Sequence, residues 1–130
     1  VDQSLGCAIL NITPDKLMND LETFGFYFEA LCERDLRIYA ESLDAKLYHY
    51  RENISGLEVD AIVEIADGEY GAIEIKLGSN QEEEAARNLK KFYGAVEVKP
   101  KFMCIICGLY DAVVKRPDGI YVLPITALKN

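Results

Sequence analysis

The stretch from Leu57 to Leu77, LEVDAIVEIADGEYGAIEIKL, constrains this chain more than any other. Apolar and polar residues alternate on either side of Asp67-Gly68, which is the pattern of a β-hairpin. In the first strand Leu57, Val59, Ala61, Val63 and Ile65 point one way, and Glu58, Asp60, Ile62 and Glu64 the other. In the second, Gly71, Ile73, Ile75 and Leu77 oppose Tyr70, Ala72, Glu74 and Lys76. A two-residue Asp67-Gly68 turn would set Asp60 across from Ile75 and mix core with polar faces, which a buried sheet does not tolerate. A three-residue loop, Ala66-Asp67-Gly68, restores the match, with Gly68 in the left-handed position such loops need. The predicted register sets Asp60 opposite Glu74, Glu58 opposite Lys76, Val59 opposite Ile75 and Leu57 opposite Leu77.

Two carboxylates directly opposite have Cβ atoms roughly 4.5–5.5 Å apart, and like charges there are destabilising. A divalent cation is the natural compensation, because Mg²⁺ is held by one or two carboxylates with water and phosphate. Lys76, two residues from Glu74 on the same face, adds a positive group. The same residues also fit a plainer reading, two solvated acids on an exposed face with Lys76 paired to Glu58.

Asp60 followed at hairpin spacing by Glu74-Ile75-Lys76 resembles the PD-(D/E)XK nuclease signature. The segments FGFYFEALCERDLRIYA (24–40), YHYR (48–51), GLEVDAIVE (56–64) and YGAIEIKLG (70–78) together resemble one family. It is the uncharacterised C-terminal domain of a group of bacterial and archaeal P-loop ATPases, classed with the PD-(D/E)XK superfamily. The resemblance runs in order along nearly the whole chain. Val59 stands where the signature has Pro, a departure that removes no ligand. The resemblance implies a restriction-endonuclease-like α-β-β-β-α-β core. It implies a Mg²⁺ or Mn²⁺ site at Asp60, Glu74 and the backbone carbonyl of Ile75, with Lys76 orienting the attacking water or stabilising charge on the phosphoryl group. In that family the first helix contributes a further acid, a position that Glu29 matches, with Glu33 as its competitor.

At 130 residues, half of them hydrophobic, the chain is one domain with a packed core. No apolar run approaches a membrane span. It begins at Val1 and has no Walker A sequence, so the expectation is a C-terminal fragment of a longer ATPase whose ATPase part lies elsewhere in the same chain. Cys7, Cys32, Cys104 and Cys107 lack the spacing of a disulfide framework. Cys104 and Cys107 would point to opposite faces of one strand and cannot chelate together. Buried thiols in a reducing, cytoplasmic compartment fit them. The net charge of −8 counts against strong nucleic-acid binding by this domain alone, since phosphate affinity comes mainly from Lys and Arg.

Residues 1–12 read as an arm or short helix. Thr13 is an N-cap with Pro14 at the first helical position, and Leu17, Leu21, Phe24, Phe28 and Leu31 repeat at helical spacing. The helix continues to about Ser42, its buried face widened by Tyr27, Cys32, Leu36 and Tyr39. Glu29 shares a face with Gly25, Cys32 and Leu36. A strand follows over 45–51, in which the lone His49 reads as structural. Tyr48, Tyr50 and Arg51 fit either a phosphate groove or a solvated sheet edge. Ser79 to Glu82 is a capping box, Glu82–Glu84 open a helix, Arg87, Lys90 and Lys91 follow toward its end, and Gly94 stops it. Phe102 to Cys107 is a central strand, and Ile120 to Ile125 is the last strand.

The expected function is a Mg²⁺- or Mn²⁺-dependent nuclease module acting on DNA or another nucleic acid. Its rival is a non-catalytic interaction or regulatory domain of the ATPase, which the acidic balance favours. A third reading is homo-oligomer formation through an exposed edge strand such as Ile120 to Ile125.

Overall fold

Short segments rich in Val, Ile and Tyr form strands, and the computed structural model assembles them into one six-stranded mixed sheet flanked by helices. It describes residues 32–38, 40–42, 44–64, 68–108 and 112–124. Residues 32–38 and 40–42 are helical (α1). They are followed by β1 (Lys46–Arg51), β2 (Glu58–Glu64), β3 (Tyr70–Lys76), a 3₁₀ turn (Ser79–Gln81) and α2 (Glu82–Ala95). β4 (Phe102–Cys107), β5 (Val114–Lys115) and β6 (Tyr121–Pro124) complete the α/β order expected. No helix among the described residues is long and apolar enough to cross a membrane.

The strand order is β1-β2-β3-β4-β6-β5. β1, β2 and β3 run antiparallel, β3, β4 and β6 parallel, and β5 antiparallel to β6. The parallel pair β3–β4 requires a crossover, and α2 supplies it. β3 lies inside the sheet and is covered on both faces, which explains its nearly continuous burial. One face carries Cys32 and Leu36 of α1 on Ala61, Val63, Ile73, Ile75, Cys104 and Ile106. The other carries Ala85, Ala86, Leu89 and Phe92 of α2 on Val59, Ile62, Ala72 and Ile105. Burying a side chain such as Leu89 or Phe92 contributes on the order of 1.5–3 kcal/mol.

α1 ends in a double backbone bond, Ala45 N–H to the Ala40 carbonyl at 2.8 Å and Asp44 N–H to the Glu41 carbonyl at 3.1 Å. Asp44 takes the left-handed conformation that this ending requires, with φ 58°. The expected β2–β3 register is observed near the turn, with Ala61 paired to Ile73, Ile62 to Ala72, Val63 to Gly71 and Glu64 to Tyr70. The ladder ends at Ala61: Asp60–Glu74 and Glu58–Lys76 are not among the backbone pairs, and Val59 lies on the opposite face from Ile75. Gly68 has φ 76°, as expected. Ala66 and Asp67 of the loop, like Ile65, lie outside the described residues, as do residues 1–31 with the arm, the Thr13 cap and Cys7.

Four expectations are corrected. Val59 does not share a face with Ala61 and Val63 but packs with Ile62 under α2. The cause is a bulge: Tyr48 pairs with Ile62 and Tyr50 with Val59, so Asp60 and Ala61 together face the single residue His49. The expected capping box is not formed, because the N-cap of α2 is Gln81 rather than Ser79, and Gln81 makes no side-chain cap bond. The 3₁₀ turn precedes it instead, with Gln81 Oε1 accepting the Gly78 N–H at 3.3 Å. Gly94 does not stop α2, which runs one residue further and leaves its basic residues mid-helix with none in the last turn. Finally, β6 is not an edge strand: β5 pairs outside it, and the edges of the sheet are β1 and β5. Cys32, Cys104 and Cys107 are buried, and burial pushes the Cys104 thiol up to about 12.

Candidate metal and phosphate site

β2 and β3 present Asp60, Glu74 and Lys76 on the α2 side of the sheet, near the carboxyl end of β3. That is where open α/β sheets hold ligands. They line an open cleft of about 510 Å³ with Gly56, Glu58, Glu84, Ala85, Arg87, Asn88 and Lys91.

The strands exchange side-chain bonds at this point. Ile75 N–H donates to Asp60 Oδ2 at 2.8 Å, and Asp60 N–H donates to Glu74 Oε2 at 3.2 Å. The bulge opposite β1 turns Asp60 into this position, and His49 Nδ1 lies 3.3 Å from the Asp60 carbonyl oxygen. The polar end of the hairpin is thus held by its own carboxylates.

Glu74 is only 4% exposed, the single charged residue in the buried set of the described chain. Burial pushes its carboxyl up to about 8, the Asp60 charge and a hydrogen bond with Asp60 add to this, and the Asp60 N–H and Lys76 oppose it. Asn88 Nδ2 donates to Glu74 Oε1, and also to the Glu58 carbonyl at 2.6 Å. Glu58 pairs with Arg51 at 3.4 Å and lies 3.9 Å from His49, not with Lys76.

Asp60, Glu74 and Lys76 therefore line one cleft, while the Ile75 side chain is buried on the opposite face and its N–H is bonded to Asp60. Glu29 lies outside the described residues, and Glu33 is exposed on α1, a helix that packs on the opposite face. Asn88, Arg87, Lys91 and Glu84 were not foreseen as site residues. Asn88 had a readable signal: it falls on the buried stripe Ala85, Leu89, Phe92 as a lone polar residue. Such a residue needs a partner, and Glu74 is that partner.

The donor set suits a hard divalent cation. Asp60 and Glu74 offer oxygen ligands only, and a cation would offset both the burial and the Asp60 charge that raise the Glu74 carboxyl. Among the described residues no group of three or more His, Cys, Asp and Glu side chains converges as a cage. A two-carboxylate site completed by backbone, water and phosphate is the Mg²⁺-like arrangement that remains.

No curated protein and no solved structure matches this chain. A family model described as a domain of unknown function, DUF4143, matches residues 24–128. That span contains α1, the whole sheet, α2 and every residue of the cleft, and the chain belongs to the DUF4143 family.

Proposed function

We propose that this domain is a Mg²⁺- or Mn²⁺-dependent nuclease module of the PD-(D/E)XK type, attached to a P-loop ATPase and hydrolysing phosphodiester bonds. The observation that carries the reading is the convergence of Asp60, Glu74 and Lys76 in one cleft, with one carboxylate buried against the other. Asp60, Glu74 and the Ile75 carbonyl would hold the metal. When bound, the metal supplies polarisation of the phosphate and a water acidified toward neutrality. Asn88 keeps the Glu74 carboxylate oriented through its Nδ2 donor. The Lys76 ammonium orients the attacking water or stabilises the charge that develops on the phosphoryl oxygens. Arg87 and Lys91, four residues apart on α2, give the cleft wall the positive charge needed to seat a phosphate.

Mn²⁺ titration by calorimetry tests the site. Binding by the wild type that disappears in Asp60→Asn/Glu74→Gln is expected. No binding by the wild type sinks the reading. Lys76→Ala should keep the fold and lose cutting of DNA and RNA, and full activity in that variant would refute the role of Lys76.

A second reading, a non-catalytic regulatory module of the ATPase, draws on the net charge of −8 and on Glu58 and Glu84 in the same cleft. Mn²⁺ uptake without cleavage of any single- or double-stranded substrate would select it.

A further inference from the structure

A second hollow of about 240 Å³ lies on the same face of the sheet, walled by Tyr48, Tyr50, Tyr70 and Phe92. It neighbours the carboxylate cleft through three elements. On α2, Lys91 lines the cleft and Phe92 the hollow. On β2, Asp60 lines the cleft and Ile62 the hollow, and on β3 Glu74 and Tyr70 do the same. At about 3.3 Å per strand residue, the tyrosines sit roughly 7–13 Å from the carboxylates.

Tyr50 meets Phe92 edge to face at 4.9 Å, and Tyr70 meets it at 6.2 Å, which fixes the back wall. Tyr48 sits on edge strand β1 and is 45% exposed. The hydroxyls of Tyr48 and Tyr70 are already engaged, by the Glu64 carboxylate and the Val98 carbonyl. What Tyr48 and Tyr70 offer a ligand is therefore the ring and not the hydroxyl, which selects a flat ligand with little regard to its edge pattern.

We infer that the substrate class is single-stranded nucleic acid, with the base next to the cleaved phosphodiester stacked on the Tyr48–Tyr50 shelf. This rests on the nuclease reading of the neighbouring cleft. Two considerations point to a single strand. A net charge of −8 leaves little room for affinity from phosphate neutralisation, whereas stacking does not depend on it. A duplex keeps its bases stacked and paired, and exposing one ring face costs unpairing.

The test is fluorescence anisotropy with a labelled mixed-sequence single-stranded DNA, the same sequence as RNA, and its duplex. It is run at low ionic strength with EDTA so that no strand is cut. The wild type should bind a single strand at least about ten-fold tighter than the duplex, and Tyr48→Ala should weaken that binding about five- to hundred-fold. Tyr48→Phe, which keeps the ring, should bind as the wild type does, and thermal melting of each variant confirms the fold. Equal affinity for duplex, no single-strand binding, or an unaffected Tyr48→Ala overturns the inference. Single-strand binding that depends on Tyr48 in a protein that takes up no Mn²⁺ would leave the shelf standing and remove the nuclease reading. Mn²⁺ uptake with an unaffected Tyr48→Ala would do the reverse.

Discussion

Replacing Glu74 with Gln should make the domain less stable in acid and more stable in alkali, so that the two stability curves cross. Glu74 is held from an ordinary value of 4.5 up to about 8 by burial and by Asp60. At about 1.4 kcal/mol per pH unit, that sets an upper bound of about 5 kcal/mol. The sign follows from linkage: the folded value lies above the unfolded one, so its contribution is complete below pH 4.5 and is lost as pH rises through 8. The wild type should therefore lose a few kcal/mol between pH 5 and pH 9 in metal-free buffer. Gln carries no charge and should show none of this loss. It does present an NH₂ group where Glu74 accepts from either the Asp60 N–H or Asn88 Nδ2, a mismatch costing about 1 kcal/mol. The variant thus starts below the wild type in acid and ends above it in alkali. Urea denaturation of both proteins at pH 5, 7 and 9 with EDTA measures this directly, and Mn²⁺ at a hundred times its dissociation constant should return about 2.7 kcal/mol to the wild type only. Parallel pH profiles for the two proteins would refute the account of Glu74 as a buried acid raised by its neighbour.

Three further outcomes are expected. Asn88→Ala removes the donor shared by Glu74 and the Glu58 carbonyl, and should cost about 1.5–3 kcal/mol in denaturant titrations while weakening Mn²⁺ binding in calorimetry. Arg116→Met should cost about 1–3 kcal/mol, read as a lower melting temperature, because the Arg116 side chain is 10% exposed and ties Glu82 and Asp118 together. Burial opposes it, but Arg116 and Lys90 hold the Asp118 carboxyl well below its usual value, so this network's contribution is lost as pH falls through the carboxylate range. Gly71→Ala would place a Cβ 2.0 Å from the Phe102 ring and should cost about 1–3 kcal/mol, a loss that Phe102→Ala in the same chain relieves in a double-mutant cycle.

The hairpin register was legible because period-two alternation over two long strands admits one match of apolar faces, and Gly68 marked the loop length. The same alternation put Asp60, Glu74 and Lys76 on one face, and they line one cleft, although Asp60 sits in the bulge beyond the paired residues. The bulge was not legible, since it depends on how β1 pairs with β2. Val59 and Ala61 are both small apolar residues that suit either face. β5 has only Val114 and Lys115, too short to announce itself, and it displaced β6 from the edge. The failed capping box has a local cause: Gln81 turns back to the Gly78 N–H, and the chain makes a 3₁₀ turn before α2 begins. Asn88 was passed over because its partner, Glu74, is distant in sequence and near only once α2 packs on the sheet.

The bond from Ile75 N–H to the Asp60 carboxylate gives the site a built-in spectroscopic gauge. An amide proton shared with a carboxylate oxygen resonates according to how much electron density that oxygen retains. Whatever draws on Asp60 must register at the Ile75 amide, and through the Asp60 N–H at Glu74 as well. Two cross-peaks in one nitrogen–proton spectrum would then report occupancy of the cleft without any substrate, label or assay of turnover.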